Sequence, residues 1–340
     1  MTHPSCCVGR PDDGSAVPGG SPKPTIDVII VNFRSEALIR ACVGSLYRYP
    51  PETCTVRRIF IVDNSSDMSE ALLGAEVEIL RPGRNLGFGA ACNLAAQHST
   101  ADLLLFLNPD AEVLDGTLDG ALAALGEAAA PGNPAASSPK ATVGIVGVQL
   151  VDACGRVQRT CSRFPRPATL LGQVLGLHLL LPGRFGPFMT DWDHSETRSV
   201  DQVMGAVMLT RRSTFLDLGG FDPRFFLYYE DMDLCLRTTA GGQEVLYAAD
   251  VQARHIGQGS SRTAVALRLH QFLRSRVLFT RKHFGVIPAV ALAIASATVE
   301  PVLRLAQAAA RRESPGPVVL GFLGFWRDLP TLFWSRNGTP

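Results

Sequence analysis

The chain has 340 residues, 46% of them hydrophobic, enough apolar material for one large domain or two modest ones. Its formal net charge is only +1, which argues against broad electrostatic capture of nucleic acid and leaves room only for a local basic patch. The 8 cysteines form no CxxC pair, and Cys42, Cys92 and Cys235 fall in apolar or helical patterns, so they read as reduced structural thiols of a cytosolic protein.

Residues 1–24 are rich in Pro, Gly and Ser and lack the apolar segment of a secretory signal. That composition predicts a disordered tail and a chain that folds in the cytoplasm. Residues 26–33 are a continuous β-branched run, which predicts a buried parallel strand. Residues 35–47 carry helical spacing, with Ser35 as N-cap. Further strands are predicted at 58–63, 77–80, 103–107 and 143–151, with helices at 90–98 and 114–129 between them. Residues 131–140 read as a low-complexity loop. Strands alternating with helices predict βαβ units and a mostly parallel, Rossmann-like α/β sheet flanked by helices.

From residue 156 the pattern loosens, and 161–190 has no clear period. An apolar stretch at 203–210, helices at 212–218 and 231–239, a strand at 245–248 and a basic helix at 262–283 follow. The segment 286–299 is charge-free but shorter than the roughly 20 residues of a spanning helix. With the apolar stretch 318–334, it reads either as interfacial helices on a membrane or as packing against the domain or a homodimer partner. The basic helix favours the membrane, because anionic lipid attracts such segments.

Several residues have types and positions suited to chemistry. Asn32 and Asp63 end the first two strands, where open α/β sheets bind ligands. Asp63 could accept the N3–H of a pyrimidine base, or it could equally hold a local turn. Gly87 and Gly89 permit close backbone approach and open a helix whose N-terminus favours anions, although this is not the dinucleotide fingerprint. Asn108-Pro109-Asp110 ends the 103–107 strand and places Asp110 where it could hold Mg²⁺ or Mn²⁺, or simply close a turn. His255 follows a late strand, and imidazole suits Mn²⁺. Glu230, Asp231 and Asp233 crowd beside two tyrosines, a setting that raises carboxyl pKa values toward those of a general base. Arg237 lies four residues after Asp233 and can pair with it, leaving Asp231 as the free base. Acids decorating a helix N-terminus would look the same.

Together these stretches resemble glycosyltransferase family 2 enzymes of the GT-A fold. The matching residues are Val28 to Phe33, Ile61 to Asp67, Asn85 to Gly89 with Asn93, Leu107 to Asp110, Gly205-Ala206, Gly219 to Asp222, Phe225 to Arg237, and His255. The likeness covers residues 25–285, leaving 286–340 as an apolar helical extension. Within the family the chain resembles the rhamnosyltransferases. The resemblance implies donor contacts from Asn32, Asp63, Asn85, Gly87, Gly89, Asn93 and Asn108. It also implies metal ligands Asp110 and His255, an acceptor side at Gly205 and Ala206, and catalysis by Asp231 with Glu230. Asn108 stands where the family's metal motif has its first acid.

The implied reaction is inverting transfer of a sugar, L-rhamnose from dTDP-L-rhamnose first, to a polyprenyl-diphosphate-linked saccharide in cell-wall or surface-polysaccharide assembly. The implied place of work is the inner face of the cytoplasmic membrane. A UDP- or GDP-hexose donor, or a catalytically silent sugar-nucleotide-binding scaffold, are the alternatives. A dehydrogenase is excluded by the missing glycine fingerprint.

Overall fold

The computed structural model describes residues 22–69, 74–126, 142–257 and 265–334. Most of the predicted N-terminal tail and the whole loop at 131–140 lie outside the described residues.

The core is one sheet whose order is β3-β2-β1-β4-β8-β6-β9-β5, with β7 on β9. The strands are β1 (Thr25–Asn32), β2 (Thr55–Asp63), β3 (Val77–Leu80), β4 (Leu103–Leu107), β5 (Ala111–Val113), β6 (Val143–Val151), β7 (Arg198–Ser199), β8 (Val207–Arg211) and β9 (Glu244–His255). Strands β1 to β4 pair in parallel, as their alternation with helices predicts. The other half is mixed: β8 runs antiparallel to both β4 and β6, and β5 antiparallel to β9. An antiparallel neighbour needs no crossover helix, so the long excursion between β6 and β8 can return without adding a βαβ unit.

Helices α1 (Glu36–Arg48), α2 (Phe88–His98) and α3 (Thr117–Gly126) cover the two faces. Ser35 precedes α1, but its hydroxyl donates to Asn32 Oδ1 at 3.0 Å rather than capping the helix. One face of the sheet packs Ile26, Val28 and Ile30 with Ile39, Cys42 and Leu46 of α1. The other packs Ile29, Phe60 and Phe106 with Ala91, Cys92 and Ala95 of α2. Cys42, Cys92 and Cys235 are buried free thiols, and burial pushes all three up. The chain passes from β1 to β2 on one side and later to β4 on the other. The C-terminal ends of β1 and β4 therefore flank the topological switch point of the sheet.

The stretch without clear period contains α4 (Pro167–Val174), a 3-10 turn at Leu177–Leu179 and α5 (Pro182–Phe185). Then come α6 (Arg212–Asp217), α7 (Glu230–Ala240), α8 (Val265–Phe284), α9 (Val286–Ala310), α10 (Gly316–Asp328) and α11 (Thr331–Trp334). The helical extension is assembled on α8: Leu273 and Val277 pack with Ala289, Ala293, Phe322, Phe325 and Leu332. The segment from residue 286 is thus packed onto the last helix before it.

Helix α9 has 25 residues, longer than its charge-free stretch, because Glu300 and Pro301 do not stop it. Pro301 has no N–H to give the carbonyl of Ala297. That carbonyl accepts the Trp326 indole N–H at 3.1 Å instead. Glu300 is buried against Arg276 and is also bonded by Arg304 at 2.8 Å. Two basic residues of α8 are spent inside the protein: Lys282 bonds Asp222 at 2.7 Å and Asp233 at 2.6 Å, and Arg274 donates to the Arg224 carbonyl at 3.0 Å. The expected attraction of this helix to anionic lipid loses those charges.

Candidate active site

Helix α7 is entered through two consecutive non-glycine residues in the left-handed region, Tyr228 at φ 68° and Tyr229 at φ 69°. Such backbone is costly and persists where surrounding packing enforces it. Here Tyr229 is held against Phe272 and Phe279 of α8. The kink sets Glu230 and Asp231 at the floor of a cleft of about 1070 Å³. Asn108, Gly205 and Ala206 line the same cleft, so five of the sequence-predicted residues meet there.

Asp231 Oδ2 accepts from Gln202 Nε2 at 3.0 Å and from the Gly205 N–H at 3.1 Å, and Oδ1 accepts from the Met232 N–H at 2.8 Å. Burial raises its pKa above the ordinary carboxyl value, and these three donors hold the rise in check. Glu230 is only 6% exposed, and its Oε2 has no hydrogen-bond partner among the described residues. Burial first, then the charge of Asp231, push its pKa well up. The pair thus divides into a proton-holding Glu230 and an Asp231 that ionises first. Asp233 is excluded from this chemistry. Its Oδ2 takes Arg237 Nε at 2.8 Å, and its Oδ1 takes Lys282 and His283. Burial opposes ionisation of Asp233, yet these cations hold its pKa below the ordinary value.

Pairing of β5 with β9 sets Ala111 opposite His255 and brings Asp110 Oδ1 to 3.4 Å from His255 Nε2. Gln158, absent from the sequence reading, fixes the imidazole. Its Nε2 donates to the His255 carbonyl at 2.7 Å, which turns Oε1 toward Nδ1 at 3.2 Å. With the proton on Nδ1, Nε2 would be free to ligate on the side that faces Asp110. This is the orientation a metal-ligating histidine needs. Among the described residues no group of three or more His, Cys, Asp and Glu side chains converges. Asp110 and His255 are two oxygen and nitrogen donors that stand together, and a divalent ion held there would need further ligands from outside the protein.

The remaining predicted donor contacts are committed elsewhere. Asp63 is fully buried and accepts from Asn32 Nδ2 at 2.9 Å, the Ser65 N–H at 3.2 Å and the Met68 N–H at 3.0 Å. Burial works to raise its pKa, but these donors outweigh it and hold the carboxyl below its usual range. The carboxylate closes a turn, the second of its two sequence readings, and Asn32 completes that turn through Asp67 at 2.9 Å.

Asn85, Gly87, Gly89 and Asn93 clamp the loop that leads into α7. Asn85 Oδ1 takes the Gly87 N–H at 2.9 Å, and the Phe88 N–H goes to the Phe226 carbonyl at 2.9 Å. Two amides of the expected anion cradle are thereby occupied. A Cβ at Gly87 would stand 2.3 Å from the Phe226 carbonyl oxygen. At Gly89 it would stand 2.8 Å from the Phe221 side chain. The Asn93 amide brackets the Phe221 peptide, donating at 2.7 Å and accepting at 2.9 Å. Asn93 therefore straps the loop rather than facing the cleft. The glycines read as phosphate contacts because close backbone approach leaves the same sequence mark whatever approaches.

Residues 27–136 match the family described as Glycosyl transferase family 2. The O-antigen biosynthesis protein RfbC of Myxococcus xanthus is 31% identical over 73% of this chain, which spans 18% of that protein. The N-acetylglucosaminyl-diphospho-decaprenol L-rhamnosyltransferase of Mycobacterium tuberculosis is 28% identical over 62% of this chain and 68% of its own length. Among solved structures, a Pyrobaculum calidifontis mannosyltransferase in complex with GDP-Man and Mn²⁺ aligns with 93% of this chain and 88% of its own, at 16% identity and a TM-score of 0.48.

Proposed function

We infer that this chain, a glycosyltransferase that carries a family 2 domain at residues 27–136, is an inverting enzyme acting on a sugar nucleotide, first of all dTDP-L-rhamnose. The acceptor is a hydroxyl of a polyprenyl-diphosphate-linked saccharide. The observation that carries this reading is Asp231: a carboxyl of raised pKa, aimed by Gln202 and Gly205, on the floor of an open cleft.

Asp231 takes the proton of the acceptor hydroxyl as its oxygen attacks the anomeric carbon, and the nucleoside diphosphate departs. Asp110 and His255 would hold Mg²⁺ or Mn²⁺, which when bound offsets charge on the leaving diphosphate. Glu230 stays protonated beside the base and contributes no second charge.

The reading places the enzyme on the inner face of the cytoplasmic membrane. Apolar side chains left exposed on α9 and α10 support this, among them Ile287 at 85% and Leu320 at 61%. Helix α9 is the one described helix long and apolar enough to cross a membrane. Its Glu300, buried against Arg276 of α8, favours lying along the surface.

Replacing Asp231→Asn should lower turnover by about 10² to 10⁴-fold. Stabilisation by dTDP-rhamnose in a melting assay should survive the change. Full activity of Asp231→Asn would reject the base. Stabilisation of the native chain by UDP- or GDP-sugars alone would reject the rhamnosyl donor.

A further inference from the structure

Beyond Asp231 the cleft continues away from the sheet, and four different elements each turn one arginine into its lining. Arg166 precedes α4, Arg184 lies in α5, Arg268 in α8 and Arg304 in α9. Among the described residues Arg166 and Arg184 have no carboxylate within ion-pair distance. Arg268 bonds the Tyr228 hydroxyl, and its Nε is buried with no hydrogen-bond partner among the described residues. Arg304 shares the single carboxylate of Glu300 with Arg276, so one of those two charges is uncompensated. The other arginine of the lining, Arg163, is neutralised by Asp191 at 2.6 Å.

This wall is tied to the catalytic floor and to the helical extension. The Ser162 N–H donates to the Gln202 carbonyl at 3.2 Å, and Gln202 holds Asp231. Leu170 and Val174 of α4 pack on Leu292 of α9. Directly beside Arg184 the chain exposes Leu179 at 68%, Leu180 at 77% and Leu181 at 52%. Uncompensated arginines in the cleft lining, with exposed leucines next in the chain to Arg184, match a ligand with two phosphates and a hydrocarbon chain.

We propose that Arg166, Arg184, Arg268 and Arg304 form a subsite for the diphosphate of a prenyl-diphosphate-linked acceptor, with the 179–181 leucines taking the first part of its chain. The proposal rests on the glycosyltransferase reading above. It assigns the arginines to the acceptor and not to the sugar nucleotide, which leaves the Asp110–His255 side for the donor diphosphate.

The test titrates the full-length protein with farnesyl diphosphate by calorimetry. Wild type should bind it. The Arg166→Ala, Arg184→Ala double variant, at two exposed positions, should bind at least about tenfold more weakly, the loss expected for charge-assisted hydrogen bonds to phosphate. Arg156→Ala, outside the cleft, should bind like wild type. Saturating dTDP or UDP should leave the farnesyl diphosphate affinity unchanged. Phosphatidylglycerol vesicles should bind the double variant as well as wild type, which separates this subsite from attraction to bulk lipid headgroups.

Equal farnesyl diphosphate binding by double variant and wild type overturns the proposal. Displacement by dTDP or UDP overturns it too, by giving the arginines to the donor. Failure of the glycosyltransferase reading has a separate signature: no sugar nucleotide stabilises the protein, whatever the titration reads.

Discussion

At the residue scale, one shell of hydrogen bonds decides how Asp231 ionises. A base acts only when deprotonated, so activity should fall as pH drops through its raised pKa. Gln202 donates to Oδ2 and lowers that pKa. In Gln202→Met the pKa rises further, and the acidic limb of the kcat/KM profile should move to higher pH. An unchanged limb would mean that another group titrates. Glu230 offers a complementary check through stability. Its folded pKa lies above its ordinary 4.5, so the folded chain retains a proton that the unfolded chain releases. The stability this group contributes is complete below its unfolded pKa and is lost as pH rises through the folded one. Glu230→Gln escapes that loss. Its melting temperature relative to wild type should therefore climb from about pH 4 upward. An offset that does not change with pH would refute the protonated Glu230.

At the scale of elements, α8 joins the two parts of the molecule. Its Lys282 and His283 pin Asp222 and Asp233 of the sheet domain, and its apolar face carries α9 and α10. Arg276 is only 2% exposed and meets Glu300 and Ser296 of α9. Breaking such a pair leaves a buried charge without its partner. Arg276→Met should cost about 3–5 kcal/mol in chemical denaturation, and Arg276→Met with Glu300→Leu should recover most of it. A single variant as stable as wild type would show that Arg304 alone satisfies Glu300.

At the scale of the molecule, one side of the helical extension is apolar and uncovered. Ile287, Ile294 and Val302 of α9 and Leu320 and Leu323 of α10 are all more than half exposed. If this side meets lipid, Ile287→Glu with Leu320→Glu should abolish co-sedimentation with vesicles while leaving the melting temperature unchanged. Retained sedimentation would reject that surface.

Much of this was legible in order along the chain. Val28 to Val31, Leu103 to Leu107 and the helix at α1 follow from continuous apolar runs and helical spacing, because burial of a strand or a helical stripe is written locally. Glu230, Asp231 and Asn108 stood out by type and by position at the ends of such runs. Three things needed the tertiary structure. Gln202 and Gln158 have no sequence signal, since an amide acquires its role only from the carboxylate or imidazole brought to it. The full length of β9 depends on its partners β5 and β6. The packing of Gly87, Gly89 and Asn93 on the loop into α7 was also hidden, because sequence records that a backbone must be approached closely and only packing decides by what. The sequence by itself determined the strands, helices and acids available for chemistry. The spacing of Arg237 from Asp233 already marked Asp231 as the free acid; only the fold could add Lys282 and His283 to Asp233 and aim Asp231 with Gln202 and Gly205, because those partners come from distant elements.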